Sequence, residues 1–261
     1  MSAGRRYHVQ LASGEVGGYV LLPGDPGRVP RIAALLDGAR PVAANREYTT
    51  WTGSLDGVPV SVTSTGIGGP SAAIAVEELC DLGAHTLLRV GTCGAMQPGL
   101  RRGDVLIAQA AVRDEGTSHQ YVPAAWPAVA HLDVVDALRA AAAARGVRWH
   151  AGVVQSKDSF YGEMEPGRMP VAAELQERWE AWTRAGVLAS EMECAALFAV
   201  AAVRRVRAGA ALAVVNETPV HEGMPDPGEL PLDDLLAVSV AAIRGLIAAD
   251  AARPRGAAGP G

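Results

Sequence analysis

Short apolar runs punctuated by Gly, Pro and Asp alternate along this chain with longer stretches of helical spacing. Gly18–Leu22, Val58–Ser64, Leu87–Val90, Gly103–Val112, Gly152–Ser156, Gly186–Ala189 and Ala210–Asn216 read as strands. Arg46–Trp51 reads as another, meeting Val58–Ser64 in a β-meander, because Asp56-Gly57 between them is a two-residue hairpin signal. Helical spacing runs over Pro30–Leu36, with Ile32, Leu35 and Leu36 on one face. It runs again from the glycine loop Thr65-Gly66-Ile67-Gly68-Gly69-Pro70-Ser71 to Leu82, with Gly83 as the stop. Val134–Arg145 is alanine-rich, hence of high helix propensity, and Ala172–Arg184 is amphipathic with Leu175, Trp179 and Trp182 toward the core. A long apolar helix opens at Ser190 and reaches about Val203, and Leu230–Ala248 is a terminal helix. Tyr7–Leu11 predicts a short strand or an extended arm. Strands alternating with helices predict an α/β fold around one central sheet.

Composition bounds the function. A chain of 261 residues, 49% hydrophobic and 20% charged, suits one large domain, here residues 1–250. The net charge is −5 with no basic run, so nucleic acid is not an expected partner. Lys157 is the only lysine, so an anion site must be built from arginine forks. Three cysteines, Cys80, Cys93 and Cys194, have no metal-ligand spacing; the odd count without a signal peptide predicts a reducing, cytoplasmic setting. No apolar run reaches the roughly 18 residues expected of a membrane span. Ala251–Gly261 reads as a disordered tail.

Candidate chemistry centres on Leu87-Leu88-Arg89-Val90-Gly91-Thr92-Cys93-Gly94, a buried strand that runs into a glycine-rich turn. Backbone N–H groups, the Thr92 hydroxyl and the Arg89 guanidinium there make a cradle for phosphate, which would later attack a sugar. A tight turn whose arginine pairs with a structural carboxylate is the other reading. Arg28 follows the Pro23-Gly24-Asp25-Pro26-Gly27 corner and is either an anion ligand or an exposed loop residue. His119 reads as solvent-exposed or packed, Asp104 as a cap or partner at a strand edge, and Cys93 as packing. Asp158–Pro170, with Phe160, Tyr161, Glu163 and Arg168, is a ligand lid or an ordinary connection. Glu191 and Glu193 sit in an apolar flank, where a carboxylate needs partners. They are either ligands for sugar hydroxyls or a helix-start pair favoured by the macrodipole. The Gly-x-Gly-Gly pattern is not the dinucleotide fingerprint, so no nicotinamide cofactor is expected.

Together the motifs resemble the nucleoside phosphorylase family of the uridine phosphorylase type. The marks are Leu22-Pro23-Gly24-Asp25-Pro26-x-Arg28, Arg46-Glu47-Tyr48-Thr49-Thr50-Trp51, Ser64-Thr65-Gly66-Ile67-Gly68-Gly69-Pro70-Ser71, Arg89-Val90-Gly91-Thr92-x-Gly94-Ala95, Asp158-Ser159-Phe160-Tyr161 and Glu191-Met192-Glu193, in that order over residues 7–250. The resemblance implies a distorted central mixed β-sheet or barrel flanked by helices. It also implies a homohexamer, a trimer of dimers with active sites shared across each dimer. Gly24, Arg28, Arg89 and Thr92 would bind phosphate, joined by Arg46 from the neighbouring subunit. His8, also from the neighbour, would meet the 5′-hydroxyl. Met192 and Glu193 would hold the ribose, Glu191 would flank it, and Phe160 would stack on the base. Glu47, Ile67 and Ser71 match positions that hold a monovalent cation, often potassium, in some relatives. No other cofactor is expected; phosphate is the co-substrate.

The base end departs from the pattern. Uridine phosphorylases read uracil with a Gln-x-Arg pair after the Phe-Tyr mark, where this chain has Glu163-Met164-Glu165-Pro166-Gly167-Arg168. Arg168 serves only if the loop is offset, and a carboxylate at Glu163 repels an anionic uracil unless protonated. After the last strand comes Asn216-Glu217, where purine-specific relatives place an acid that protonates the base, which makes Glu217 a candidate general acid. Uridine or a related pyrimidine nucleoside is the lead substrate, and a purine nucleoside the alternative. A water-using hydrolase fits less well, since water needs no cradle of three arginines. A non-catalytic nucleoside sensor is the non-enzyme reading.

Overall fold

The computed structural model describes residues 4–216 and 230–253. Its centre is β5 (Thr86–Ala95), in which Leu87, Leu88 and Val90 are wholly buried. Such continuous apolarity marks a strand covered on both faces. One edge of β5 pairs in parallel with β10 (Arg207–Val214) along almost its whole length. From β10 the sheet continues through β6 (Val105–Asp114), β8 (Trp149–Lys157) and β9 (Ala189–Glu191), and β9 returns to β5. These five strands therefore close into a barrel. A side sheet leaves it through β1 (Tyr19–Leu22), β4 (Val58–Thr63), β3 (Tyr48–Leu55) and β2 (Asp37–Asn45), and the two-residue β7 (Ala128–Val129) pairs with β6. The α/β class and the mixed, barrel-like sheet are as the sequence implies.

Helices α1 (Val29–Ala33), α2 (Gly69–Asp81), α3 (Leu132–Arg145), α4 (Phe160–Met164), α5 (Ala172–Arg184), α6 (Cys194–Arg204) and α7 (Asp233–Ala252) cover the sheet. α2 packs on α6, and α3 on α7. α7 is long and apolar enough to cross a membrane by length and composition, although Arg244 interrupts its apolar run. Its Leu235, Val238, Ile243 and Leu246 are buried, and it packs on α3, β5 and β10, so it belongs to the core.

Several expectations shift. β2 has no periodic signature in the sequence because it is a largely exposed edge strand with a Pro and two register breaks. The glycine-rich stretch after Arg89 is not a turn, since β5 runs on to Ala95. Glu191 ends β9, and α6 begins only at Cys194 because the Glu191 carboxylate caps its first N–H groups. The Asp158–Pro170 segment contains α4, started by Ser159, whose Oγ accepts from Gly162 N at 2.9 Å. α7 runs to Ala252 and Arg253 pairs with Asp133, so the expected tail begins as ordered structure; its remainder lies outside the described residues.

Gly209 on β10 lies under α3. A Cβ there would stand 2.4 Å from Val134 Cγ1, inside van der Waals contact. Gly209→Ala is expected to lower stability by about 1–3 kcal/mol through overpacking. Urea unfolding reads the loss, and a second change, Val134→Ala, recovers part of it. An unshifted midpoint for the single variant would remove the steric account.

Candidate active site

The site opens where β5 changes neighbours. On the edge away from β10, β5 pairs with β1 from Thr86 to Arg89 and with β9 at Gly94 and Ala95. Neither strand pairs with Val90–Cys93 in between, so the sheet parts there. Crevices at such points, beyond the carboxyl ends of parallel strands, are where α/β folds bind ligands. The crevice here is a cleft of about 990 Å³.

One side of the cleft is cationic. Arg89, its side chain only 8% exposed, lies over Gly91; a Cβ on Gly91 would stand 2.9 Å from the guanidinium carbon, so glycine is required for the fit. Arg28 enters from the loop after β1, where Asp25 Oδ1 accepts from Gly27 N at 2.8 Å and fixes the corner. Thr65 N and Gly66 N donate to Pro23 O and Gly24 O, both at 2.9 Å, stitching this corner to the glycine loop before α2. Gly24 and Thr92 complete the wall. Burial lowers the Arg28 pKa, Asp25 opposes that, and the neighbouring Arg89 charge adds to the lowering. An anion bound between them would relieve the repulsion of the two guanidiniums. Of the two readings of Arg28, this is the ligand-facing one.

Beside them lie two carboxylates with different duties. Glu191, whose side chain is fully buried, accepts from Arg89 Nε at 3.2 Å, from the Ser156 hydroxyl, from Glu193 N at 2.9 Å and from Cys194 N. Its lone pairs are occupied, so it positions Arg89 and caps α6, and no oxygen is left for ribose. Glu193 is less committed. One oxygen accepts from Gly68 N at 2.5 Å and the other from Arg89 Nη2, fewer partners than Glu191 has. Burial raises the Glu193 pKa and the Arg89 charge opposes it. Arg89 is itself pushed down by burial and raised on balance by the two carboxylates, so it stays charged. The arginine is paired with two buried carboxylates, as one reading of it had it, and it also lines the cleft. Met192 lines the same wall. Cys93 is buried, its thiol pKa raised by burial, with Sγ 3.8 Å from Ala213 O, as packing requires.

The far end is aromatic and amphoteric. Phe160, 36% exposed, meets Tyr161 edge-to-face at 5.4 Å, and both line the cleft with Met164, Val215 and Asn216. Glu163 points inward and is buried, 2.9 Å from Lys157 Nζ, and Ser190 Oγ lies 2.9 Å from its other oxygen. Lys157 and Ser190 were not among the residues the sequence put forward, although a sole lysine at a strand end is a visible signal.

Other expected residues lie elsewhere. Arg168 is exposed, ion-paired with Glu165 at 2.6 Å and set over the Tyr161 ring, outside the cleft lining; the short helical turn Pro166–Arg168 carries it away from the base end. Glu217 lies outside the described residues. Arg46 is exposed, and neither it nor His8 lines this chain's cleft. The two are neighbours all the same, because Asn45 Nδ2 donates to His8 O at 2.7 Å; His8 Nδ1 is 2.7 Å from Glu78 Oε1. At the cleft rim Ser71 Oγ donates to Glu47 Oε1 at 2.8 Å, and Ile67 is 78% exposed. His119 is exposed. Asp104 pairs with Arg148 at 2.9 Å and His150 at 2.8 Å beside the first residue of β6, a strand-edge partner as expected. Among the described residues, no group of three or more His, Cys, Asp or Glu is placed to hold a metal.

The parted strands frame a cleft lined by cationic, carboxylate and aromatic side chains, the make-up of a pocket for a polar small molecule with a flat ring. Residues 19–242 match the model of the Phosphorylase superfamily, and the chain belongs to that family. It is 50% identical to a uridine phosphorylase of Treponema pallidum over 95% of this chain and 96% of that one. It is 52% identical to a uridine phosphorylase of Thermococcus kodakarensis over 84% and 80%, and 43% identical to a guanosine phosphorylase of Halorubrum lacusprofundi over 78% and 80%.

Proposed function

We propose that this protein catalyses the reversible phosphorolysis of uridine or a related pyrimidine nucleoside, giving the free base and ribose or deoxyribose 1-phosphate. The observation that carries the reading is Arg28 and Arg89 facing one cleft wall, with Glu193 beside them and Phe160 at the other end. Phosphate on the guanidiniums lies under C1′, and Glu193 accepts from the 2′- and 3′-hydroxyls. A phosphate oxygen lone pair forms the C1′–O bond as the C1′–N bond breaks, and that bond's electron pair leaves with the base, which then takes a proton. Positive charge on the sugar ring in the transition state faces phosphate and Glu193, while Arg89 keeps both anions in register. No covalent enzyme intermediate is needed.

The active unit is a dimer within a hexamer, with His8 and Arg46 serving the neighbour's cleft. Both lie close to the rim of this chain's cleft without lining it, which supports this. Glu47, Ser71 and the Ile67 backbone offer hard oxygen donors at the rim, where a monovalent cation would sit between two copies. Three free cysteines suit the reducing cytoplasm, and nucleoside salvage is the matching setting. Purine phosphorolysis is the second reading, favoured by Glu163 in place of the uracil-reading glutamine and by the guanosine phosphorylase relative.

Base release from uridine, thymidine, inosine and adenosine, each with and without phosphate, tests the proposal. Phosphate-dependent uracil release is expected. Phosphate-dependent purine release alone moves the protein to the second reading, and release without phosphate makes it a hydrolase.

A further inference from the structure

The wall between the cleft and a second cavity, of about 380 Å³ against α5, is short of one hydrogen. Lys157 and Glu163 line both spaces. Next to them Ser190 Oγ lies at hydrogen-bond distance from three atoms: Lys157 Nζ at 2.6 Å, Gln155 Oε1 at 2.8 Å and Glu163 Oε2 at 2.9 Å. The ammonium can only donate. The other two atoms are oxygens, and the hydroxyl has a single hydrogen to give them. Ser190, Gln155 and Glu163 are all buried, where an oxygen set against another's lone pair is costly.

Turning Gln155 over does not relieve the shortage. Its Nε2 donates to Asp114 Oδ2 at 2.8 Å, and the reversed amide would set its oxygen against that carboxylate. Asp114 is itself held by Arg178 of α5 at 2.7 Å. The Gln155 oxygen therefore faces Ser190 and takes the hydroxyl hydrogen. Glu163 Oε2 is then opposite a Ser190 lone pair, and the contact is favourable only if Oε2 carries a hydrogen of its own. With that hydrogen the set closes. Ser190 accepts from Lys157 and from Glu163 and donates to Gln155, while Glu163 Oε1 accepts from Lys157 at 2.9 Å.

The electrostatics run the same way. Burial raises the Glu163 pKa, Lys157 and Ser190 oppose it, and the Asp114 charge adds to the rise. The other charged groups nearby are engaged elsewhere. Glu191, next to Ser190 on β9, accepts from Arg89. Glu115 and Asp158, bordering the second cavity, accept from Ser118 N and Gly116 N, and His119 at the same border is exposed. Arg168 pairs with Glu165.

We propose that Glu163 is held as a neutral carboxylic acid near neutral pH, and that it positions the Lys157 ammonium on the cleft wall without neutralising it. An ionised Glu163 would make the wall a closed ion pair; the acid leaves a whole positive charge on Lys157 beside the cleft. In the phosphorolysis reading above, on which this consequence rests, that charge joins Arg28 and Arg89 in acting on the anions of the reaction. Ionisation of Glu163, its Oε2 proton passing to solvent, cancels it.

Glu163→Gln is the discriminating variant. Its amide keeps both contacts of the acid, Oε1 accepting from Lys157 and Nε2 donating to Ser190, and it cannot ionise. A carboxyl whose pKa folding raises contributes stability in full below its unfolded pKa and loses it as pH rises through the folded one. Urea midpoints of wild type and variant are therefore expected to coincide up to neutral pH, and the wild type to fall below the variant in alkali. An ion pair gives the opposite order, with the variant the less stable. Infrared difference spectra at neutral pH, wild type minus variant, are expected to show the C=O stretch of a protonated carboxyl. The pH profile of kcat/KM is expected to lose its alkaline fall in Glu163→Gln, whatever the variant's absolute rate. A missing acid band, a variant that fails to fold or is less stable than the wild type in alkali, or the same pH profile in both proteins would overturn the proposal. Band and midpoints are read without turnover, so failure of the phosphorolysis reading shows separately, as base release that ignores phosphate.

Discussion

Arg89→Ala is expected to abolish phosphate-dependent turnover and to destabilise the protein at the same time. The guanidinium touches two buried carboxylates, Glu191 and Glu193, and faces the cleft. Its loss strips the developing transition state of a preorganised cation, worth about 10³-fold or more in kcat/KM for phosphate. It also leaves two buried carboxylates without a counter-charge, which costs about 3–5 kcal/mol. Arg89→Lys separates the effects. A lysine keeps one positive charge near the carboxylates but not the planar fork, so most stability returns and little activity does. Steady-state kinetics over a phosphate series, with urea unfolding alongside, provides the check. A folded Arg89→Lys protein with wild-type phosphate dependence would remove Arg89 from the anion site.

Glu193→Gln is expected to cut kcat/KM for uridine by about 10²–10³-fold. Glutamine still accepts from Gly68 N through its carbonyl, so the local backbone is held, but the charge opposite Arg89 and one acceptor for the sugar are gone. The loss should depend on the hydroxyls. With 2′,3′-dideoxyuridine, which offers none, the variant and the wild type should differ by less than about tenfold, because the interaction removed was never made. Equal losses on both substrates would show that Glu193 acts only by holding Arg89. Thermal unfolding of the variant guards against a trivial explanation through instability.

The residues of the cationic and carboxylate sectors of the cleft were legible in the sequence because they are local to short motifs. Gly24 and Arg28 share one corner, Arg89 and Thr92 one strand, Met192 and Glu193 one strand-to-helix junction. The base end was not. Glu163 could be named as a position but not as a partner of the sole lysine, since Lys157 lies on β8 and Ser190 on β9. Arg168 read as a site residue because of its distance along the chain from Phe160. A helical turn beginning at Pro166 takes it to the surface instead. The roles of Glu191 and Glu193 could not be divided from their spacing either, because the division depends on donors from Ser156, Arg89 and Gly68.

By itself the sequence determined the alternation of strands and helices, the α/β class and the arginine character of the cationic side of the cleft. These follow from local periodicity, turn chemistry and composition, which need no knowledge of distant neighbours. The tertiary structure alone decided that the sheet closes into a five-stranded barrel and that β5 trades β1 for β9 between Arg89 and Gly94, parting the sheet into a cleft. It also decided that the sole lysine and Glu163 meet in that cleft's wall. Closure, strand exchange and buried pairing all depend on residues far apart in the chain, and their energies arise only when those residues are desolvated together.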